Sequence, residues 1–319
     1  MSLLPVEPAY RLAERAEESR WLVTGLWSEQ AVGIVGGEPK CCKSFLALDL
    51  AVAVAAGIPC LRRFTVPQAG RVLLFAAEDA LHIVRRRLEG ISAAAGVALA
   101  DLDIQVITAP TVRLDLDADR RRLAETVARL QPRLLILDPF VRLHRIDENA
   151  SGEVAPLLAY LRELQRRHGV AVLVVHHAKK GGGGVRAGQA LRGSSEFHAW
   201  GDSNLYLRRD GGPREGGDIS LSVEHRAAPS PKPIRIELAQ RGDALALEVV
   251  EQREPAMPAP TTLDDRIIAA LADADRLLPF TELRALCRVR TATLYERLAV
   301  LTTSRRVIKI DDGYRRPER

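Results

Sequence analysis

Eight residues constrain this chain more than any others. Gly37-Glu38-Pro39-Lys40-Cys41-Cys42-Lys43-Ser44 follows an apolar run at 31–35 and precedes a helical pattern over 45–56. A strand, a glycine-bearing loop and a helix opening on Lys-Ser form the setting of a phosphate-binding loop. Backbone N–H groups wrap the phosphates there, with the helix N-terminus adding its partial positive charge. Gly37, Glu38, Pro39, Lys40, Cys41, Cys42, Lys43, Ser44 and the following Phe45 are therefore the expected nucleotide contacts. Lys43 is expected to reach the outer phosphates, and the Ser44 hydroxyl to bind magnesium (Mg2+). Cys42 stands where such loops usually carry glycine. Its side chain is expected either to crowd the phosphate path or to strain the backbone, leaving binding intact while slowing turnover.

Near-continuous apolar runs at 31–35, 72–76, 104–108, 134–137 and 170–175 alternate with helical stretches near 45–56, 80–94, 118–129 and 153–167. That alternation predicts an α/β fold on a mainly parallel sheet covered on both faces. Runs at 202–206, 219–223 and 234–238 come without intervening helices and predict antiparallel edge strands. Residues 1–30 read as a helical lead-in, and residues 31–252 as the main domain. The stretch 253–261, rich in proline, reads as an extended linker, and 262–319 as a small second domain. No run of 18 apolar residues appears, and the acidic start lacks the layout of a signal peptide, so a cytoplasmic protein is expected with no membrane partner. The four cysteines show no paired spacing, which argues against a disulfide framework or a zinc site. A formal net charge of +5 permits a polyanionic partner without requiring one.

Three other strands end in residues with chemistry. Asp138 closes an apolar strand at 133–138 and is expected to join Ser44 in holding magnesium. Glu78 follows the strand at 72–76 and is the expected general base, with Asp79 as a cap for the next helix. His176 and His177 end the run at 170–175. Adjacent strand residues face opposite ways, so one histidine, preferably His177, is expected to face the γ-phosphate while the other is structural.

Glu78, the Leu-Asp-Pro-Phe at 137–140, Asp147-Glu148-Asn149-Ala150-Ser151-Gly152, His176-His177-Ala178-Lys179-Lys180 and Arg192-Gly193-Ser194-Ser195 occur in one order. Together they resemble the RepA-type hexameric replicative helicases, a branch of the RecA/DnaB-like ATPases, over roughly residues 20–210. The resemblance implies a RecA-like P-loop NTPase core, a homo-oligomeric ring with a hexamer favoured, and ATP held between subunits. It implies Glu78 as catalytic glutamate, Asp138 as the magnesium-linked aspartate and the histidine pair as γ-phosphate sensor. Arg192 then matches an arginine finger acting on a neighbour's ATP, where a guanidinium would offset charge on the transferring phosphoryl group; a surface arginine capping a helix is the other reading. Lys179, Lys180 and Arg186 would line a central channel for single-stranded DNA, or else form a surface loop.

After residue 260 three short helices (262–274, 279–287 and 291–303) and two strands (306–310 and 314–315) are expected, with Asp311-Asp312-Gly313 as the turn. That order predicts a winged helix-turn-helix, which lies outside the resemblance. From Arg288 onward nine Lys/Arg face four acids. Arg288, Arg290, Arg297 and Arg315 are the expected contacts if the unit binds duplex DNA; protein docking is the alternative. Functionally, a DNA-associated, helicase-like motor of a plasmid or other mobile element leads. A nucleotide-responsive DNA-binding switch is the second reading, and a strand-exchange filament the third.

Overall fold

The computed structural model describes residues 4, 6–12, 20–177, 196–209, 219–242, 244–250, 262–274, 276–287, 289–311 and 313–317. The chain divides into two compact units, Met1–Glu251 and Gln252–Arg319.

In chain order the first unit contains β1 (Trp21–Val23), β2 (Trp27–Ser28), β3 (Val32–Gly37), α1 (Lys43–Ala56), β4 (Val72–Ala76), α2 (Leu81–Ala94), β5 (Ile104–Val106) and α3 (Asp117–Leu130). There follow β6 (Leu134–Asp138), α4 (Ser151–His168), β7 (Ala171–His177), α5 (Glu196–Trp200), β8 (Ser203–Arg209), β9 (Ile219–His225), β10 (Ile234–Arg241) and β11 (Ala244–Val249). Nine strands form one sheet in the order β11-β10-β9-β8-β3-β7-β6-β4-β5. The six strands from β8 to β5 run parallel, and β9, β10 and β11 continue the sheet antiparallel.

Alternation along the buried strands divides the core into two layers. Val35, Leu74, Ile136, Leu173 and Val175 face one layer with α1 and α2; Ile34, Leu73, Leu135, Leu137, Val172 and Val174 face the other with α3 and α4. Helix α1 is buried nearly all round, which marks it as a central helix rather than a surface one. It ends at Gly57, whose left-handed backbone (φ +68°) carries an N–H back to the Ala53 carbonyl.

The expected helical lead-in is corrected where it is described. A 3-10 turn occupies Ala9–Arg11, and β1 and β2 then pair as an antiparallel hairpin, while 13–19 lie outside the described residues. Aromatic and β-branched residues favour strand here, Gly25 supplies the turn's positive φ (+75°), and Leu22, Val23, Leu26 and Trp27 are fully buried. Strand β11 had no counterpart in the sequence reading; α2 rests against it, with the backbone of Leu245 3.4 Å from where a side chain on Gly90 would begin.

The second unit contains α6 (Leu263–Asp273), β12 (Leu278–Pro279), α7 (Phe280–Cys287), α8 (Thr291–Thr303), β13 (Ile308–Ile310) and β14 (Gly313–Arg315). Thr262 and Asp265 form a reciprocal capping box at the start of α6. The three strands pair antiparallel in the order β12-β14-β13, around a core that includes Ile267, Leu283, Leu294, Leu298, Leu301 and Tyr314. Among the described residues of the β13–β14 turn, Asp311 takes a positive φ (+47°) and Gly313 does not. Aspartate tolerates that region, and Gly313 is already a strand residue lying close under Leu277.

Candidate functional site

Strands β3, β7, β6 and β4 are neighbours and all end on the same edge of the sheet, so their terminal residues meet. A cavity of about 350 Å³ opens there, lined by Lys40, Cys41, Cys42, Lys43, Ser44, Phe45, Ala76, Glu78, Asp79, Arg87, Asp138, Val175 and His177. Ligands in open parallel sheets characteristically lie beyond the carboxyl ends of the strands.

The loop after β3 closes on itself. The Lys43 ammonium donates to the carbonyls of Gly37 (3.0 Å) and Glu38 (2.7 Å), and the Cys41 thiol also donates to Glu38 (2.8 Å). Lys43 must release these carbonyls to reach a phosphate. Gly37 and Glu38 thus act through their backbone, and Pro39 is not among the lining residues. Burial pulls the Lys43 ammonium below its ordinary pKa, against the opposing influence of Cys41 and Asp138. Two residues of the loop, Lys40 (φ +64°) and Cys42 (φ +65°), sit in the left-handed region, and Cys42 forms the N-cap of α1. The expected strain at Cys42 is therefore present in the backbone: a β-carbon in this region costs roughly 1–2 kcal/mol.

Asp138 shares the parity of Leu134 and Ile136, so its carboxylate points toward α1, where the Ser44 hydroxyl bonds to it. Burial raises its pKa to about 6, helped by the nearby Asp79 and Glu78 carboxylates and opposed by Ser44 and Lys43. A buried carboxylate beside a hydroxyl, with two further carboxylates near it, is a set of hard oxygen donors that fits magnesium. Glu78 sits at the cavity's rim, half exposed, with Arg142 Nε donating to it at 3.0 Å.

Strand parity also separates the two histidines. His177 lines the cavity, on the side of Leu173 and Val175. His176 turns to the opposite layer, stacked on Phe197 (4.2 Å, 20°) and edge-on to Phe140 (6.1 Å), so it is removed from the cavity-facing set. The capping role expected of Asp79 is also corrected. Ala80 is the N-cap of α2, without a side-chain bond, and Asp79 forms an ion pair with Arg87.

Three arginines at the site escaped the sequence reading. Arg87, nearly two turns into α2, stands over the Phe45 ring at 5.2 Å. Arg142 leaves the 3-10 turn after Asp138-Pro139, and Arg209, closing β8, donates to the Lys40 carbonyl at 3.3 Å. None carries a local motif; the nearest signal is position, since each lies just beyond a strand or cavity-lining segment.

Arg192, Lys179, Lys180, Arg186 and Arg288 lie outside the described residues. Arg290 is exposed at the N-cap of α8, and Arg315 is half-buried on β14 opposite Ile308. Arg297 is bonded to Asp264 of α6, Nε to Oδ1 at 2.7 Å, and so serves the unit's own packing.

The fold is shared with a solved DnaB-like replicative helicase, described with its interactions with primase, at a TM-score of 0.53 and 12% identity. The match covers 68% of this chain and 57% of that one, so the chain spans little more than half the length of that protein. A family model described as an AAA domain matches residues 2–183, more than half the sequence and all the cavity-lining residues named above; the chain belongs to that family.

Proposed function

We propose that the chain is an ATP-hydrolysing, helicase-like motor that assembles as a homo-oligomeric ring on DNA. The observation that carries this reading is the meeting of Lys43, Ser44, Asp138, Glu78 and His177 in one cavity at adjacent strand ends. Lys43 would hold the β- and γ-phosphates, with the loop N–H groups around them. Ser44 and Asp138 would hold magnesium, which supplies charge neutralisation at the phosphates. Glu78, freed from Arg142, would accept the proton of a water attacking the γ-phosphorus, with ADP leaving in line. His177 would sense the γ-phosphate. Arg192 as an arginine finger, and Lys179, Lys180 and Arg186 as a channel grip on single-stranded DNA, complete the proposal from the motif order alone. A plasmid or mobile-element setting, a hexamer and a cytoplasmic location belong to it too. Among the described residues no helix is long and apolar enough to cross a membrane.

The test is ATP hydrolysis with and without single-stranded DNA. DNA-stimulated turnover that Glu78→Gln and Lys43→Ala abolish supports the motor, and electron microscopy separates ring from filament. A second reading, a nucleotide-responsive DNA-binding switch, draws on the left-handed Cys42 and on Glu78 being tied to Arg142. Tight ATP binding with no hydrolysis under any DNA condition would favour the switch and sink the motor.

A further inference from the structure

The helix of the second unit that would enter a DNA groove is α8, and its solvent face is unsuited to reading bases. Ala292, Tyr295, Glu296, Ala299 and Val300 are exposed along it. Its one cation, Arg297, is bonded to Asp264. Base-edge readout in a major groove depends chiefly on Arg, Lys, Asn and Gln donors, and α8 offers none that is free.

Apart from Arg290, exposed at the N-cap of α8, much of the unpaired positive charge sits elsewhere in the unit. Arg305 and Arg306 occupy the turn from α8 to β13; their N–H groups cap the helix at Thr302 and Leu301, and Arg305 takes a positive φ of +55°. Lys309 lies on β13, one of the two edge strands of the three-stranded sheet, and Arg316 directly follows β14. Antiparallel pairing of Ile308 with Arg315 brings the start of β13 beside the end of β14, so Arg306 and Arg316 converge on one end of the hairpin. All four cations are exposed, and none is ion-paired to another described residue. Arg306 alone feels a nearby acid, Asp264. Asp311, at the far tip, is the one acid described within 305–317.

We infer that this unit binds duplex DNA through the phosphate backbone, gripped by Arg305, Arg306, Lys309 and Arg316 at the turn and hairpin edge, without selecting sequence. The inference deepens the proposed DNA association and rests on it. Phosphate contacts carry no base information, and their signature is counterion release: binding weakens with salt by a log–log slope of roughly 0.9 per phosphate contact. The placement of Lys309 on an edge strand also suits the fold, since charge there discourages strand-to-strand aggregation of an exposed edge.

The experiment uses the full chain without nucleotide and two labelled 20-base-pair duplexes of unrelated sequence, titrated by fluorescence anisotropy over a range of salt. The variant Arg305→Ala/Arg306→Ala/Lys309→Ala/Arg316→Ala is expected to lose affinity about tenfold or more, equally for both duplexes, with a slope shallower by about 2–4. Arg305→Lys/Arg306→Lys/Arg316→Lys should keep the wild-type slope, because a point charge suffices for phosphate; that variant also controls for folding. An unchanged slope in the alanine variant, or a loss confined to one duplex, would overturn the inference. Failure of the motor reading is distinguishable: Glu78→Gln would leave duplex affinity intact whatever its effect on ATP, and the alanine variant should retain basal ATP hydrolysis.

Discussion

At the scale of single residues, Asp138 and Cys42 show what a phosphate site costs the fold that carries it. Asp138 is held protonatable up to about pH 6, whereas an unfolded aspartate titrates near 3.8. The folded state therefore binds more protons than the unfolded one between those values, and stability falls as pH rises through that window. Above it the cost is about 3 kcal/mol, at ~1.4 kcal/mol for each tenfold change in proton affinity. Asp138→Asn should thus raise the melting temperature of the free protein at pH 7.5 while weakening magnesium-dependent nucleotide binding at least tenfold, as followed by calorimetry and by a fluorescent ATP analogue. A melting temperature that drops would show that the burial of charge is not what governs this site. In the wild type, the same titration predicts that magnesium-nucleotide affinity declines as pH falls below about 6. For Cys42→Gly two effects oppose each other. Glycine removes a left-handed penalty of roughly 1–2 kcal/mol and adds about 0.5–1 kcal/mol of unfolded-state entropy. The net change in stability should be a gain of about 0–1.5 kcal/mol, so a several-fold rise in ATP turnover would come from relief at the phosphate loop. No rise in turnover would mean that the thiol neither crowds nor strains the working state.

Elements decide which side chains meet. The site was legible wherever a residue's role follows from its place at a strand end: Lys43, Ser44, Asp138 and Glu78 each stand just past an apolar run, and period-two alternation already favoured His177 over His176. What alternation could not give was the partner of a long side chain. Arg87, Arg142 and Arg209 come from a helix turn, a 3-10 turn and the strand flanking β3, and only the assembled sheet brings them together. For the same reason Arg297 read as an expected DNA contact, whereas the fold bonds it to Asp264 of α6. Strand β11 was missed because Ala244–Val249 is built mainly of Ala, Leu and Glu, residues that favour helix over strand, and follows a tight turn; its burial depends on α2 lying across it. The juncture that aligns the phosphate loop is β3 against β8. A β-carbon on Gly33 would fall 1.7 Å from the Ser203 carbonyl oxygen, inside any contact distance. Gly33→Ala must therefore push β8 away from β3, where Gly37 and Leu207 pair beside the loop. A loss of about 3 kcal/mol is expected, as for other steric insertions into packed cores, lowering the melting temperature by roughly 6–12 °C. Nucleotide affinity should fall with it. A variant that melts with the wild type would mean the two strands have slack to separate.

For the whole molecule, the division into two units would separate the proposed nucleotide chemistry from the inferred duplex grip. The buried clusters of the first unit draw on residues 22 to 247, and that of the second on residues 267 to 314. Charge is divided unequally as well. Residues 252–319 hold 13 Lys/Arg and 10 Asp/Glu, a net +3 of the chain's +5 in about a fifth of its length. A small unit whose core, among the described residues, holds ten buried hydrophobics is marginal by size, since short chains bury a smaller share of their surface. Calorimetry of the full chain should accordingly resolve two transitions. The smaller should have an enthalpy of about 45 kcal/mol, at ~0.7 kcal/mol per residue. A chain ending at residue 250 should lose that transition alone, keep the larger one within about 2 °C, and bind nucleotide with a Kd within twofold of wild type. It should also lose the steep salt dependence of duplex binding that the cations after α8 are inferred to provide. A truncated chain whose nucleotide affinity fell tenfold would place part of the phosphate site's support in the second unit, against the separation of cores. Retention of the steep salt slope would move the duplex grip to the first unit.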